Sequence, residues 1–293
     1  MHRISLAFAV SLGALASLAG RSFAASDDCR KEYVVPYAEQ CTFAYKTLKK
    51  DTSTANLSAA FAACARAQSF AVSCVKTSDK LLHAVALGAL YRDVTQQAEI
   101  AMFAQQFTVA EALLREKLQV LDVVKADAKK PDPAVARERA TTQVDIADAR
   151  AGECTTRATA TAEQQRELGR THKYGDLETL LKRKAQDYGT CAKLATSPAK
   201  RAYIEYVGLV AVEESGRAAQ AAGARGDASQ LYRICVDGAN HSATYAVGPV
   251  KGFLKTVSTL CAGRASGKYA VDKPEPLGSD NGKAFKPLTL PKS

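Results

Sequence analysis

Eight cysteines are the residues whose chemistry is easiest to read from this 293-residue sequence. They are Cys29, Cys41, Cys64, Cys74, Cys154, Cys191, Cys235 and Cys261. An even set of cysteines in an exported protein is typical of disulfides. No two of them are spaced as C-x-x-C, the spacing used by structural zinc sites and by redox-active dithiols. The set therefore predicts disulfides in an oxidising compartment and favours neither a metal site nor redox catalysis.

The pairing of these cysteines follows from the geometry of helical hairpins. Facing residues in an antiparallel hairpin are equidistant from the turn, so their numbers average to the position of the turn. Four pairs meet this condition at three predicted turns: Cys41–Cys64 (mean 52.5) and Cys29–Cys74 (mean 51.5) near residues 51–55, Cys154–Cys191 (mean 172.5) within 169–175, and Cys235–Cys261 (mean 248) at 248–249. The alternative Cys64–Cys74 is excluded, because ten residues along one helix span about 15 Å and a disulfide needs a Cα separation of about 5.5–6 Å.

The adjacent acids Glu213 and Glu214 are the best candidates for acid–base chemistry. They follow a stretch that is apolar nearly throughout, from Tyr203 to Val212. Burial beside such a stretch raises the pKa of a carboxyl group, and a raised pKa is typical of functional acids. We therefore expect one of the two to be partly buried. A second pair, Asp145 and Asp148, lies off the apolar seam of its helix, so we expect those acids on a solvated face.

Three histidines remain beyond the first 24 residues, and none belongs to a metal or catalytic motif. We expect His83 in an apolar core, His172 exposed in a turn, and His241 packed on the apolar seam of its helix. The patterns H-E-x-x-H and G-x-S-x-G are both absent from the sequence. Arg225-Gly226-Asp227 spells a cell-adhesion tripeptide, but turn and N-cap chemistry accounts for these residues. The sequence therefore predicts no metal, no cofactor and no recognisable catalytic motif.

Caps and helix breakers predict an all-α protein with nine helices and no strand. The predicted helices begin near Pro36, Asn56, Ser78 or Asp79, Thr108, Asp132-Pro133, Asp176, Ser197-Pro198, Asp227 and Gly248-Pro249. A capping box, Thr108-x-x-Glu111, marks the fourth start. No Gly or Pro precedes it, so one continuous helix from the third start is the alternative. The fifth helix is expected to reach Leu168, and the ninth to end near Gly263.

The fifth helix carries a seam of small residues at heptad spacing, which predicts close packing against a partner helix. The seam consists of Ala140, Val144, Ala147, Ala151, Cys154 and Ala158. The third and seventh helices, by contrast, are apolar nearly all round near residues 81–87 and 203–209. That pattern is typical of central, buried helices.

The predicted architecture is a set of disulfide-clipped antiparallel hairpins in two bundle-like halves, residues 25–130 and 131–264, joined at the linker Lys129–Pro133. The segment Ala218–Ala239 resembles a hairpin of the tetratricopeptide repeat family, with a Gly-Asp turn and an alanine-spaced return helix. Helices of about 20 residues exceed that family's repeat of about 34 residues for two helices. The resemblance implies shared hairpin packing, and a solenoid stays open as the alternative arrangement.

The two ends of the chain are expected to lie outside this fold. Residues 1–24 read as a signal peptide, with Arg3, an apolar run and small residues before a cleavage site after Ala24. Residues 265–293 hold four prolines and no helical periodicity, so we expect a disordered tail. No later stretch is apolar enough to span a bilayer.

The net charge and the predicted export of the chain together give the expected function. The formal net charge is +10, and residues 1–24 carry two arginines and no acid, so the mature chain has +8. Such a surface favours anionic partners. We expect a periplasmic or secreted, non-enzymatic binding or scaffold module that engages another envelope protein or an anionic envelope polymer, and no nucleic acid. The alternative is a hydrolase or lyase acting on an envelope polymer. The oligomeric state and the identity of the ligand stay open.

Overall fold

The computed structural model describes Cys29, residues 31–128 and residues 130–267. Within that part the protein is all-α, as predicted, with nine long helices and one short helix. The helices are α1 Lys31–Lys50, α2 Thr54–Cys74, α3 Lys80–Phe103, α4 Phe107–Asp127, α5 Pro133–Thr159, α6 Ala162–Arg170, α7 Tyr174–Leu194, α8 Pro198–Ala221, α9 Arg225–Ala243 and α10 Pro249–Ala265. The predicted signal peptide and the predicted tail from residue 268 onward lie outside the described residues.

The chain divides into two compact units, the first up to Ile100 and the second from Ala101. This boundary falls in the last turn of α3. The predicted halves, 25–130 and 131–264, meet at the predicted linker Lys129–Pro133. That position lies within the second unit and not at the boundary between the units. The division into these two halves stays a prediction.

In the first unit, α1 and α2 form an antiparallel hairpin, and the end of α3 packs against it. The shared core contains Cys41, Leu48, Cys64 and Ile100, which are all buried. Polar contacts also bind α3 to the hairpin, because Gln97 donates from Nε2 to Oε1 of Gln68 at 2.6 Å.

In the second unit, each long helix packs against its neighbour in the chain. α4 pairs with α5, α7 with α8, α8 with α9, and α9 with α10, while α5 also packs against α7. The predicted central helix of this region is α8, which contacts α7, α9 and α10. Its burial on several sides explains why residues 203–209 are apolar nearly all round.

The cysteines lie in the four pairs that hairpin geometry predicts. The Cα separations are 5.2 Å for Cys29–Cys74, 4.3 Å for Cys41–Cys64, 5.4 Å for Cys154–Cys191 and 6.1 Å for Cys235–Cys261. Each separation suits a disulfide. Three of the pairs therefore join two antiparallel helices, and Cys29–Cys74 joins the end of α2 to a residue that precedes α1.

Three predicted helix starts have the predicted capping side chain. Asp79 accepts from the backbone N–H groups of Leu81 and Leu82, and Asp132 accepts from that of Ala134. Ser197 accepts from the N–H of Lys200 at 3.2 Å. These side chains satisfy N–H groups that have no partner inside the helix.

Four other predicted starts are wrong by a few residues. α7 begins at Tyr174, two residues before Asp176. Pro36 lies inside α1 rather than at its first position. Ser53 rather than Asn56 caps α2, and the Asn56 amide instead donates to Asp51. α9 begins two residues before Asp227, which lies in its first turn.

The junction between α3 and α4 is a break, so the continuous helix is excluded. Gln105 adopts a positive φ of 58°, and α4 begins at Phe107. The predicted capping box is wrong, because Thr108 lies inside the helix and its hydroxyl donates to Glu153. Glu111 accepts from Arg115 and from Arg150 of α5. Glu111 therefore pairs with an arginine of α5 instead of capping the start of its own helix.

The predicted fifth helix is two helices, since residues 160–161 separate α5 from α6. At this break, Thr159 and Thr161 donate from their hydroxyls to carbonyls three or four residues earlier. The small-residue seam is buried only in its second half, at Ala151 and Ala158, because Val144 is exposed and so is Ala140.

Among the described residues, no helix combines the length and the apolar character that crossing a membrane requires.

Candidate functional site

Glu213 lies on the side of α8 that faces α10. The residue is 5% exposed, and its Oε1 lies 2.6 Å from Nε of Arg264. The N–H of Arg264 is not aligned with this oxygen, so the contact is an ion pair without a hydrogen bond. Burial raises the pKa of Glu213, against the opposing effect of the nearby Arg264 and Arg217 guanidinium groups. The carboxyl group is thus part of the packing between two helices.

Glu214 lies on a different side of the same helix and contacts α6. Gln165, which is buried, donates from Nε2 to Oε2 of Glu214 at 3.1 Å. The other amide atom of Gln165, Oε1, accepts from Nζ of Lys184 on α7 at 2.9 Å. Burial raises the pKa of Glu214 to about 7 and lowers the pKa of Lys184. One buried amide therefore bridges a half-buried carboxyl group and a half-buried amine.

Glu213 is buried and Glu214 is half-buried, and both have raised pKa values, where the sequence indicated one partly buried acid. Adjacent residues on an α-helix point about 100° apart, and here Glu213 contacts α10 whereas Glu214 contacts α6. The two carboxyl groups therefore do not face a common space. Their role as functional acids stays a prediction.

Buried guanidinium groups near Glu213 have donors without acceptors. Among the described residues, Nε and Nη1 of Arg264 and Nε of Arg217 are buried and have no hydrogen-bond partner. Unsatisfied buried donors are rare in proteins and commonly indicate an ordered water or ion. Sequence reasoning missed both arginines, although each lies seven residues, about two helical turns, after an apolar residue.

Asp145 and Asp148 are not on a solvated face, so that expectation is wrong. Both are half-buried, and burial raises the pKa of Asp145. Asp148 accepts through Oδ2 from the Ser197 hydroxyl at 2.8 Å. The capping residue of α8 therefore docks on α5 at Asp148.

The three histidines differ in their exposure. His83 is half-buried near the carbonyl of Val75, and His172 is exposed, as expected, in the turn before α7. His241 is exposed, so its predicted packing is wrong; its ring meets the edge of Tyr245 instead. The described part of the chain holds no cluster of three His, Cys, Asp or Glu residues suited to a metal ion.

Asp93 on α3 is a further buried acid that sequence reasoning missed. It is 0% exposed, and neither carboxylate oxygen has a hydrogen-bond partner among the described residues. Burial raises its pKa to about 7, and nearby Arg92 only partly offsets this. The sequence could have indicated the burial of Asp93, since this residue falls three positions after the buried Leu90 and seven after the buried Ala86.

An open surface hollow lies at the turn before α7 and the end of α8. Its lining includes His172, Tyr174, Asp176 and Ala222. Neither Glu213 nor Glu214 lines it. No protein-family model, no curated protein and no solved structure matches this chain.

Proposed function

We propose that the chain is an exported, non-enzymatic binding or scaffold module of the cell envelope, periplasmic or secreted. The observation that carries the proposal is the divergence of Glu213 and Glu214 on α8. General acid–base chemistry needs groups within hydrogen-bond reach of one substrate, and these acids contact different helices. Disulfide-distance cysteine pairs support an oxidising compartment, and the net charge supports an anionic partner such as an acidic envelope protein or polymer.

The same proposal extends to the architecture of the second unit. We propose that α7 to α10 form a short tetratricopeptide-like stack that presents its helices to a partner. The sequential packing of these four helices supports it. Small-angle scattering of the mature protein beginning at Ala25 would test it, because a stack predicts a longer maximum dimension than a closed bundle of the same mass.

Affinity capture tests the binding function. Mature protein beginning at Ala25 is immobilised and exposed to envelope extract, and retained material is eluted by a salt gradient. We expect specific retention that weakens with salt, because exposed charges are screened within about 8 Å at physiological ionic strength. Reduced and alkylated protein is the matched control. Equal retention by folded and unfolded protein contradicts the proposal.

The second candidate function is a hydrolase or lyase acting on an envelope polymer. Its support is the pKa of Glu214, which at about 7 suits a general acid or base. Release of reducing or unsaturated ends from purified envelope polymers is the test. Activity that is lost in Glu214→Gln but kept in Glu213→Gln would favour the enzyme. Absence of activity in the wild type leaves the binding module.

A further inference from the structure

The short helix α6 lies between two breaks of the chain. It spans Ala162–Arg170, with residues 160–161 before it and a turn after it in which His172 adopts a positive φ of 56°. The pair Cys154–Cys191 joins the flanking helices α5 and α7 directly, across a sequence separation of 37. Connections at the ends of an element absorb the backbone rotation of a local movement. Detachment of α6 therefore does not require α5 and α7 to separate.

Most residues of α6 face solvent. Five of the nine are exposed, and two, Gln165 and Gly169, are buried. The arginines of α6 pair with acids of the same helix, as Arg166–Glu163 and Arg170–Glu167. Leu168 packs on a buried apolar cluster that α7 and α8 form. Leu168 and Gln165 are thus two side chains that attach α6 to its neighbours.

The Gln165 amide attaches α6 to two ionisable groups. Its Nε2 donates to Oε2 of Glu214 on α8 at 3.1 Å, and its Oε1 accepts from Nζ of Lys184 on α7 at 2.9 Å. Gln165 is 3% exposed. Because an amide supplies both a donor and an acceptor, one side chain serves both groups while α6 stays in place. Detachment of α6 exchanges both hydrogen bonds for bonds to water.

Protonation of Glu214 and attachment of α6 are coupled through burial. Desolvation raises the pKa of Glu214 from 4.5 to about 7; the Lys184 and Arg217 cations oppose this change, whereas Glu213 adds to it. A group with a raised pKa stabilises the attached state fully below its solvated value, and this contribution is lost as the pH rises through the attached value. Attachment of α6 therefore weakens between pH 5 and pH 8.

Two groups of α7 also face this carboxyl group. Burial lowers the pKa of Lys184, so its effect has the opposite sign, and attachment is gained as the amine loses its proton. Burial raises the pKa of Tyr188 to about 12, with a smaller effect of Glu214. The solvated values of the amine and the phenol, 10.5 and 10.0, lie above pH 8, whereas that of Glu214 lies below pH 5. The weakening of attachment with rising pH therefore follows Glu214.

We infer that α6 is a pH-dependent latch, which Gln165 holds on α7 and α8 at acidic pH and which detaches locally as the pH rises toward 8. The inference goes beyond the proposed binding function, which does not require α6 to move. Detachment exposes the Glu214 carboxylate, the Lys184 amine and the apolar cluster under Leu168. The surface that these helices offer to a partner therefore changes with pH.

Hydrogen exchange followed by mass spectrometry tests the latch on the mature protein beginning at Ala25. Amide exchange is measured at pH 5, 6, 7 and 8 and divided by the intrinsic rate at each pH, and peptides from α6 are compared with peptides from α7. We expect protection of α6 to fall at least about tenfold from pH 5 to pH 8, since one unit of pKa difference corresponds to tenfold, and protection of α7 to fall less. Constant protection of α6 overturns the inference. An equal decrease in both helices also overturns it, because it indicates global unfolding rather than local opening.

Two matched acid-to-amide variants locate the group that senses pH. Glu214→Gln cannot ionise, so protection of its α6 should stay constant from pH 5 to pH 8. Glu167→Gln changes an exposed acid of α6 that pairs with Arg170, and it should keep the wild-type decrease. A wild-type decrease in Glu214→Gln, or its loss in Glu167→Gln, would show that Glu214 does not control the latch.

Lys184→Gln provides a second measurement if Glu214→Gln does not fold. The Lys184 cation lowers the pKa of Glu214, so its removal should move the midpoint of the α6 decrease to higher pH. A midpoint that is unchanged or lower overturns the inference.

Discussion

Cys154 on α5 and Cys191 on α7 lie with their Cα atoms 5.4 Å apart, although α6 and two breaks separate the helices along the chain. The two cysteines still meet across this interrupted connection, because α5 and α6 both pack against α7. The pair thus links the helix that leads into α6 with the helix that leads out of it.

Peptide mapping of unreduced protein should find the four predicted bridges and no free thiol. Replacing both Cys154 and Cys191 by Ser should lower the free energy of unfolding by about 2–4 kcal/mol, because the bridge restricts the unfolded chain. Denaturant titration measures the change. A bridge from Cys154 to any other cysteine would contradict the hairpin geometry, and an unchanged midpoint in the double variant would show that the bridge does not stabilise.

The ion pair of Glu213 and Arg264 should behave as a buried pair. Arg264→Met leaves the buried Glu213 carboxylate without its paired arginine, with only Arg217 nearby, and should cost about 3–5 kcal/mol of unfolding free energy. The double variant with Met at both positions should recover most of that loss, because apolar residues of similar volume replace buried charges well. Glu167→Gln, which breaks the exposed pair with Arg170, is the control and should change nothing measurable. If the losses of unfolding free energy in Arg264→Met and Glu213→Met simply add up in the double variant, the pairing is disproved.

Stability should fall between pH 5 and pH 8 through two buried carboxyl groups. The pKa rises from 3.8 to about 7 for Asp93 and from 4.5 to about 7 for Glu214. A group with a raised pKa in the folded state stabilises fully below its unfolded value, and this contribution is lost as the pH rises through the folded value. Each group should account for on the order of 2 kcal/mol of the decrease.

Urea titrations at pH 5, 6, 7 and 8 measure this dependence. Asp93→Asn and Glu214→Gln should each flatten the profile relative to the wild type, since neither amide ionises. A variant that keeps the full wild-type slope would show that its carboxyl group is already ionised in the folded protein.

Gly216 on α8 should not accept a side chain. A Cβ there would lie 2.6 Å from Cε1 of Tyr232, whose residue is 2% exposed and cannot move easily. Gly216→Ala should therefore cost about 1–3 kcal/mol through overpacking. Gly189→Ala on α7 is the matched control, because nothing lies within 4 Å of its Cβ, and it should stabilise by up to about 1 kcal/mol. Thermal unfolding of both variants checks the difference in sign.

Much of the fold was readable from local chemistry. Helix caps such as Asp132 and Ser197, and the breaker Gly248-Pro249, act within one turn of the chain, so sequence alone locates them. Cysteine pairing was also predictable, because hairpin symmetry depends on the position of the turn and not on the details of either helix. This is why the pair Cys154–Cys191 was predicted correctly even though the helix containing Cys154 ends at Thr159 instead of Leu168.

Tertiary structure decided the environment of the charged residues. Sequence indicated that one of Glu213 and Glu214 is buried, but the arginine, glutamine and lysine that meet them come from α10, α6 and α7. Asp148 reads as a surface residue until Ser197, 49 positions later, packs on it. Caps and turns are short-range, so the sequence by itself located most of the helices and paired the cysteines. The burial of a charge depends on which distant helix covers it, and only the packed structure contains that information.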